Sequence, residues 1–211
     1  MKVDTTTLAM PALPALFLLA VVSACDDASG PVTAGDTRYP LESWQVIQDF
    51  GVWNSSWQGY HLAEDARANG GDPVYAMADG TVGGIFVAQG YGAVMLIQHR
   101  FAEGFVTSLY GHISQRHGFE VEAGESVSKG QLLAYIAEDD EDGGAWAPHL
   151  HFGVRRGPYS IDEEICGVWL YVGYTRECPG VSHEEHRSYW LDPGDFIAGR
   201  VTLTSAGQRT E

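Results

Sequence analysis

From Asp72 onward the chain is written in short runs of β-forming residues divided by glycine: VYAMADGTVGGIFVA, YGAVMLIQHR, FVTSLYGHI and FEVEAGESVSKGQLLAYIAE. Each run is of roughly strand length, rich in β-branched and aromatic residues, and no amphipathic helix of convincing length separates them. With 26 glycines to make tight corners, the pattern predicts an all-β fold, a compact antiparallel sandwich or barrel. Trp44, Val46, Phe50, Trp53 and Trp57 open the folded body after Leu41. Trp190, Leu191, Phe196 and Ile197 return the chain to the core after a long excursion over residues 157–189.

Two patterns on this β scaffold carry chemistry. In Pro148-His149-Leu150-His151-Phe152 a strand would turn both histidines to one face and pack Leu150 and Phe152 behind them. One imidazole can then bind a cation while its neighbour moves a proton. In His61-Leu62-Ala63-Glu64-Asp65 the four-residue offset brings His61 and Asp65 to one side in a helix or a strand, and HLAEDARA has the propensity for an exposed helical turn. Together with one of the HxH pair they supply two imidazoles and a carboxylate, a set that suits zinc and leaves a position open for water. His112, at the end of a predicted strand, can meet the pair across the sheet.

The acidic run Glu138–Asp142 reads as a solvated loop, with a calcium site or a substrate-selecting rim as the alternatives. The His183-Glu184-Glu185-His186 cluster lacks HExxH spacing and reads as an exposed loop.

The first 24 residues differ in kind from the rest. An apolar run from Leu8 to Val22, too short for a membrane span, ends in Val22-Ser23-Ala24-Cys25. This is the layout of a secretory signal, and its last four residues are similar to the lipobox of bacterial lipoproteins, with Cys25 as the lipid-modified residue. Residues 25–40 follow as a polar, turn-prone tether, then a domain over 41–200 and a polar tail over 201–211. In an exported chain Cys166 and Cys178 are most simply a disulfide, stabilising by about 3 kcal/mol in the chain-entropy account. A net charge of −16 excludes a nucleic-acid partner and leaves a lipid anchor as the only route to a membrane surface.

Four elements in order resemble the lysostaphin/LytM-type zinc endopeptidases, which cut peptide cross-links in bacterial cell walls: His61-x-x-x-Asp65, Val74–Val82, Tyr110-Gly111-His112 and Pro148–Phe152. Val127-Ser128-Lys129-Gly130-Gln131 is also similar, and the likeness runs from about Gly51 to Val154. It implies a duplicated hybrid-motif β fold with Zn2+ bound by His61, Asp65 and His151. His149 and His112 would stand beside the metal as general base and as stabiliser of the tetrahedral intermediate.

The implied protein is a monomeric, exported peptidoglycan hydrolase anchored in the cell envelope through Cys25. Tyr110 aligns with a tyrosine that shapes the cleft or packs the core, and His99 reads as a turn or packing residue. Ala63 stands where the family usually has glycine, and the excursion over 157–189, a disulfide-braced loop near the cleft, departs from the compact family pattern. A same-fold protein that binds peptidoglycan or activates an amidase without catalysis is the alternative. A biotinyl or lipoyl carrier is set aside because Lys129 lies in the wrong half-motif.

Overall fold

The computed structural model describes residues 37–88, 91–141, 147–160, 164–169 and 173–199. Cys25, the signal segment, most of the tether and the polar tail lie outside the described residues. In chain order the strands and helices are β1 (Val46–Gln48), β2 (Trp53–Asn54), β3 (Gly59–Tyr60), β4 (Glu64–Arg67), β5 (Pro73–Tyr75) and β6 (Gly80–Ala88). They continue with β7 (Gly92–Phe101), β8 (Gly104–Ile113), β9 (Ser126–Val127), β10 (Leu132–Tyr135) and β11 (His149–Arg156). After these come β12 (Glu164–Ile165), β13 (Val168–Trp169), α1 (His183–Ser188), β14 (Trp190–Leu191) and α2 (Pro193–Ala198). The chain is thus mostly antiparallel β, as its glycine-punctuated runs predict. No helix among the described residues is long and apolar enough to cross a membrane.

One large sheet carries the molecule, in the order β1-β4-β11-β8-β7-β6-β9, with β14 added alongside β11. Its long strands β6, β7 and β8 are the glycine-bounded runs, and β11 is the HxH run. Alternation divides β11 cleanly. Leu150, Phe152 and Val154 are fully buried on one face against Val74, Met77, Tyr110 and Leu133, where the small β5–β10 sheet closes the main core. Phe152 sits between Trp44 (centroids 5.8 Å, edge-on) and Tyr110 (5.2 Å). On the opposite face Leu62, Val94, Leu96, Leu109 and Trp190 make a second apolar cluster, joined by Tyr159. That cluster is completed by the segment after β11, so the excursion is part of the packing and not an appendage.

Several expectations change here. HLAEDARA is not a helical turn: a bend at Ala63 leads into β4, where pairing with β1 and β11 overrides local helix propensity. The His183 cluster is a short helix, N-capped by the Ser182 hydroxyl accepting from the Glu185 N–H, with His186 buried beneath it. Tyr110 belongs to the core: its hydroxyl accepts from the Met77 N–H at 2.9 Å, and burial pushes its pKa up to about 12. His99 lies within β7 and not in a turn. Its Nδ1 meets the Asp79 carbonyl at 2.9 Å and its Nε2 meets Ser108 Oγ at 2.7 Å, tying the start of β6 to β7 and β8. Within the acidic run, Glu141 accepts from the Ser114 hydroxyl and the Arg116 N–H, so it pins the turn after β8 instead of lying free in solvent.

Burial pushes His99 down to about 4, against the pull of Asp79. Its folded pKa therefore lies below the unfolded value near 6.5, and between those values the unfolded chain binds the extra proton. Stability should fall as pH drops through that window, by at most about 1.4 kcal/mol per pH unit from this residue, with no penalty above it. Denaturant midpoints measured from pH 7 to 4 should fall less steeply for His99→Gln than for the parent. Phe152→Ala should cost about 3–5 kcal/mol of unfolding free energy in the same assay.

Candidate metal centre

The register of β4 against β11 builds the centre. His151 pairs with Asp65 and His149 with Arg67 across the two strands, so Asp65 and both histidines share the face away from the main core. Glu64 and Ala66 fall on the core face, opposite Phe152 and Leu150. Glu64 is there bonded by Trp44 Nε1 at 3.0 Å, which takes it out of consideration as a ligand.

His61 reaches the same face from a different segment. A straight strand would set residues i and i+4 about 13 Å apart, and the bend at Ala63 removes that distance. Asp49, Val52 and the excursion hold it: the His61 N–H donates to the Val52 carbonyl at 2.9 Å, and Nδ1 lies 3.1 Å from the Asp49 carbonyl. Residues 173–175 run along its other side, with the Leu62 N–H donating to the Gly173 carbonyl and the Thr175 N–H to that of Tyr60, each at 2.9 Å. Ala63, in place of the family's glycine, is fully buried and keeps the bend.

Three ligand atoms converge as a result. His61 Nε2 lies 3.3 Å from Asp65 Oδ1 and 3.2 Å from His151 Nδ1, and His151 Nδ1 lies 2.8 Å from Asp65 Oδ1. Tetrahedral bonds of about 2.0–2.1 Å would separate ligand atoms by roughly 3.3 Å, so two nitrogens and a carboxylate oxygen at these distances fit a zinc ion. Among the described residues these three are the set of histidine, cysteine and acidic side chains close enough to hold a cation.

The protonation states fit as well. Burial pushes the Asp65 carboxyl up, but hydrogen bonds and charge from His151 and His61 outweigh it and hold the group well below the carboxylate range. Burial pushes His151 down to about 4 despite the neighbouring carboxylate. At neutral pH the centre presents an ionised carboxylate beside a neutral imidazole, as metal binding requires.

His149 and His112 stand beside this triangle. Their rings are 4.5 Å apart, and His149 Nε2 lies 3.7 Å from Asp65 Oδ2. His149 Nδ1 is 2.7 Å from the Ala147 carbonyl, which fixes the N–H on that nitrogen and turns Nε2 toward the centre. His112 arrives by a different device. From Ala93 to Met95 β7 advances two residues while β8 advances three, from Ile113 back to Tyr110, so β8 carries a bulge at Gly111-His112. His112 has a φ of 57° there, an uncommon conformation for a non-glycine residue, and its ring lies against His149 instead of following the alternation of β8.

All five residues singled out in the sequence are thus brought together. Tyr91 and Tyr174 were not singled out and also belong here. The Tyr91 hydroxyl lies 2.9 Å from His151 Nε2, and the Tyr174 ring lies 5.2 Å from that of His61 while its hydroxyl accepts from Gln48 Nε2 at 3.0 Å. Tyr174 also stacks on Trp57 at 5.7 Å, giving the centre an aromatic flank. Neither tyrosine sits in a spacing that marks a ligand. The one available signal is the sequence Gly90-Tyr91-Gly92, where an aromatic stands between two glycines.

The family model for peptidase family M23 matches residues 59–163, the span that holds the ligand triangle and both neighbouring histidines. The chain belongs to peptidase family M23. Among solved structures, the chain is similar to the solution structure of lysostaphin, at 19% identity and a TM-score of 0.55 over 84% of this chain and 60% of that one. It is similar to the catalytic domain of the antimicrobial peptidase lysostaphin from Staphylococcus simulans, at 20% identity and a TM-score of 0.52 over 74% of this chain and 92% of that domain. A zinc containing peptidase from Vibrio cholerae aligns at 25% identity and a TM-score of 0.48, over 57% of this chain and 36% of that one. The chain therefore spans under two thirds of the whole lysostaphin and Vibrio chains, and the lysostaphin likenesses establish a shared fold. No curated protein sequence matches it significantly.

Cys166 and Cys178 are disulfide-bonded with Cα atoms 5.4 Å apart, and residues 173–175 beside His61 lie within the loop they close. Reduction should destabilise the fold by about 3 kcal/mol in the chain-entropy account. Limited proteolysis with and without reductant, read by mass spectrometry, should show faster nicking between residues 166 and 178 in the reduced protein.

Proposed function

We propose that this protein is a zinc-dependent endopeptidase that hydrolyses peptide cross-links of bacterial peptidoglycan. The observation that carries this reading is the triangle of His61 Nε2, Asp65 Oδ1 and His151 Nδ1 at separations of 2.8–3.3 Å, flanked by two further histidines in an M23 domain. His61, Asp65 and His151 would hold the ion. Zinc, when bound, supplies Lewis acidity that polarises a peptide carbonyl and acidifies water.

The chain's own residues supply the proton transfers. His149, with its Nδ1 hydrogen on the Ala147 carbonyl, takes the proton of the attacking water at Nε2 and returns it to the leaving amine. His112, held against His149 by the β8 bulge, donates to the carbonyl oxygen as the carbon becomes tetrahedral. Retention of the full ligand set and both flanking histidines supports catalysis over a binding-only role. Export follows from the signal-like first 24 residues, with Cys25 as lipid anchor and residues 26–40 as tether to a monomeric domain at the cell envelope.

Incubation with purified cell-wall sacculi, with the new peptide termini identified by mass spectrometry, tests activity and bond type together. Chelation should abolish release and added zinc restore it. His61→Ala and Asp65→Ala should each weaken zinc binding by more than the roughly 10–100-fold that loss of an outer partner costs. His149→Ala should keep its zinc and lose about 10²–10⁴-fold in turnover. Full hydrolysis by His149→Ala would overturn the assigned mechanism.

A further inference from the structure

We infer that Tyr91 is a positioning residue of the metal centre, its hydroxyl fixing the His151 ring so that Nδ1 faces Asp65 and His61. The inference rests on the reading of His151 as a ligand. Two contacts define the ring: Nδ1 lies 2.8 Å from Asp65 Oδ1, and Nε2 lies 2.9 Å from the Tyr91 hydroxyl. Turning the ring over would carry carbon into both positions and break both contacts.

An imidazole that gives its Nδ1 lone pair to a cation must carry its proton on Nε2, and in a buried site that N–H needs an acceptor. Tyr91 oxygen is the atom in place. Without metal, the Asp65 carboxylate favours the hydrogen on Nδ1, and Nε2 then accepts from the same hydroxyl. A phenol can donate or accept, so Tyr91 satisfies either tautomer without moving. His61 has a comparable outer partner in the Asp49 carbonyl at 3.1 Å, so each imidazole of the triangle has an anchor on its far nitrogen.

The surroundings are shaped to hold this one side chain. The Tyr91 ring stacks on His112 at 5.4 Å with 13° between planes, and the His112 N–H donates to the Tyr91 carbonyl at 3.1 Å. A Cβ at Gly111, directly opposite His151 on β8, would come within 2.8 Å of the ring. A Cβ at Gly173 would overlap the hydroxyl and approach His151 Cε1 to 3.0 Å. Gly111 belongs to the β8 bulge and Gly173 to the disulfide-closed excursion, so two distant segments both lack a side chain where Tyr91 passes.

Tyr91→Phe keeps the ring and removes the hydroxyl. Zinc affinity, measured by competition with a chromophoric chelator, should fall about 10–100-fold, the usual effect of losing an outer partner. In ¹⁵N-histidine spectra of the zinc-loaded protein, the His151 Nε2 proton should be slowly exchanging in the parent and lost to fast exchange in the variant. A variant that binds zinc within twofold of a tightly binding parent and keeps that proton overturns the role of Tyr91 alone. A parent that binds zinc no better than His61→Ala overturns the zinc reading and this inference with it.

Discussion

The antiparallel register of β4 on β11 is the constraint from which the centre follows. It sets His151 against Asp65 and Leu150 against Ala66. Because side chains alternate, a slip of one residue would send both histidines into the core and bring Leu150 and Phe152 to the polar face. Leu150, Phe152 and Val154 are fully buried, and losing them to solvent would cost about 1.5–3 kcal/mol each. The apolar face therefore specifies the position of the polar one. That is why a site of buried ionisable groups, costly in itself, can be held in one geometry.

His112 shows the limit of that rule. Strict alternation along β8 would put it on the face of Tyr110, whose hydroxyl is bound by the Met77 N–H in the core. The extra residue at Gly111-His112 and the left-handed backbone at His112 re-aim it to the polar face. Such a conformation persists only where surroundings over-determine it, and here a ring 4.5 Å away and the hydrogen bond to the Tyr91 carbonyl do so. The core fixes His149 and His151 through regular pairing, and a local departure from regularity fixes His112.

These two devices explain what could be read from sequence. The HxH run, His61-x-x-x-Asp65 and the strand pattern are local, with periods of two and four, so His61, Asp65, His149, His151 and the β class were legible. The bend at Ala63 was not, because HLAEDARA favours a helix in isolation and only partners on β1 and β11 override it. His112 was found through its motif and not through parity, since bulges leave no period. Tyr91 and Tyr174 escaped because their meaning lies in contacts 60 and 113 residues away in the chain, to His151 and His61. The helix at His183–Ser188 escaped because it is one short turn-length element whose stability comes from its Ser182 cap and the burial of His186.

The excursion after β11 looks expendable beside the compact family core, but its contacts argue otherwise. Tyr159 lies over Gly83 and Gly84 of β6, where any Cβ would collide with its ring, and its N–H donates to Gln98 on β7. Trp190 lies against Gly153 on β11 in the same way. These aromatics cover Leu62, Val94, Leu96 and Leu109 on the face of the sheet that also carries Asp65 and His151. Residues 173–175 then pair with 60–62, beside His61 and under Tyr91. Removing the excursion would uncover an apolar face and take away the backbone partner of the segment that presents His61. The glycines at 83 and 84 make sense only with Tyr159 in place, so sheet and excursion form a single packed unit around the candidate metal centre.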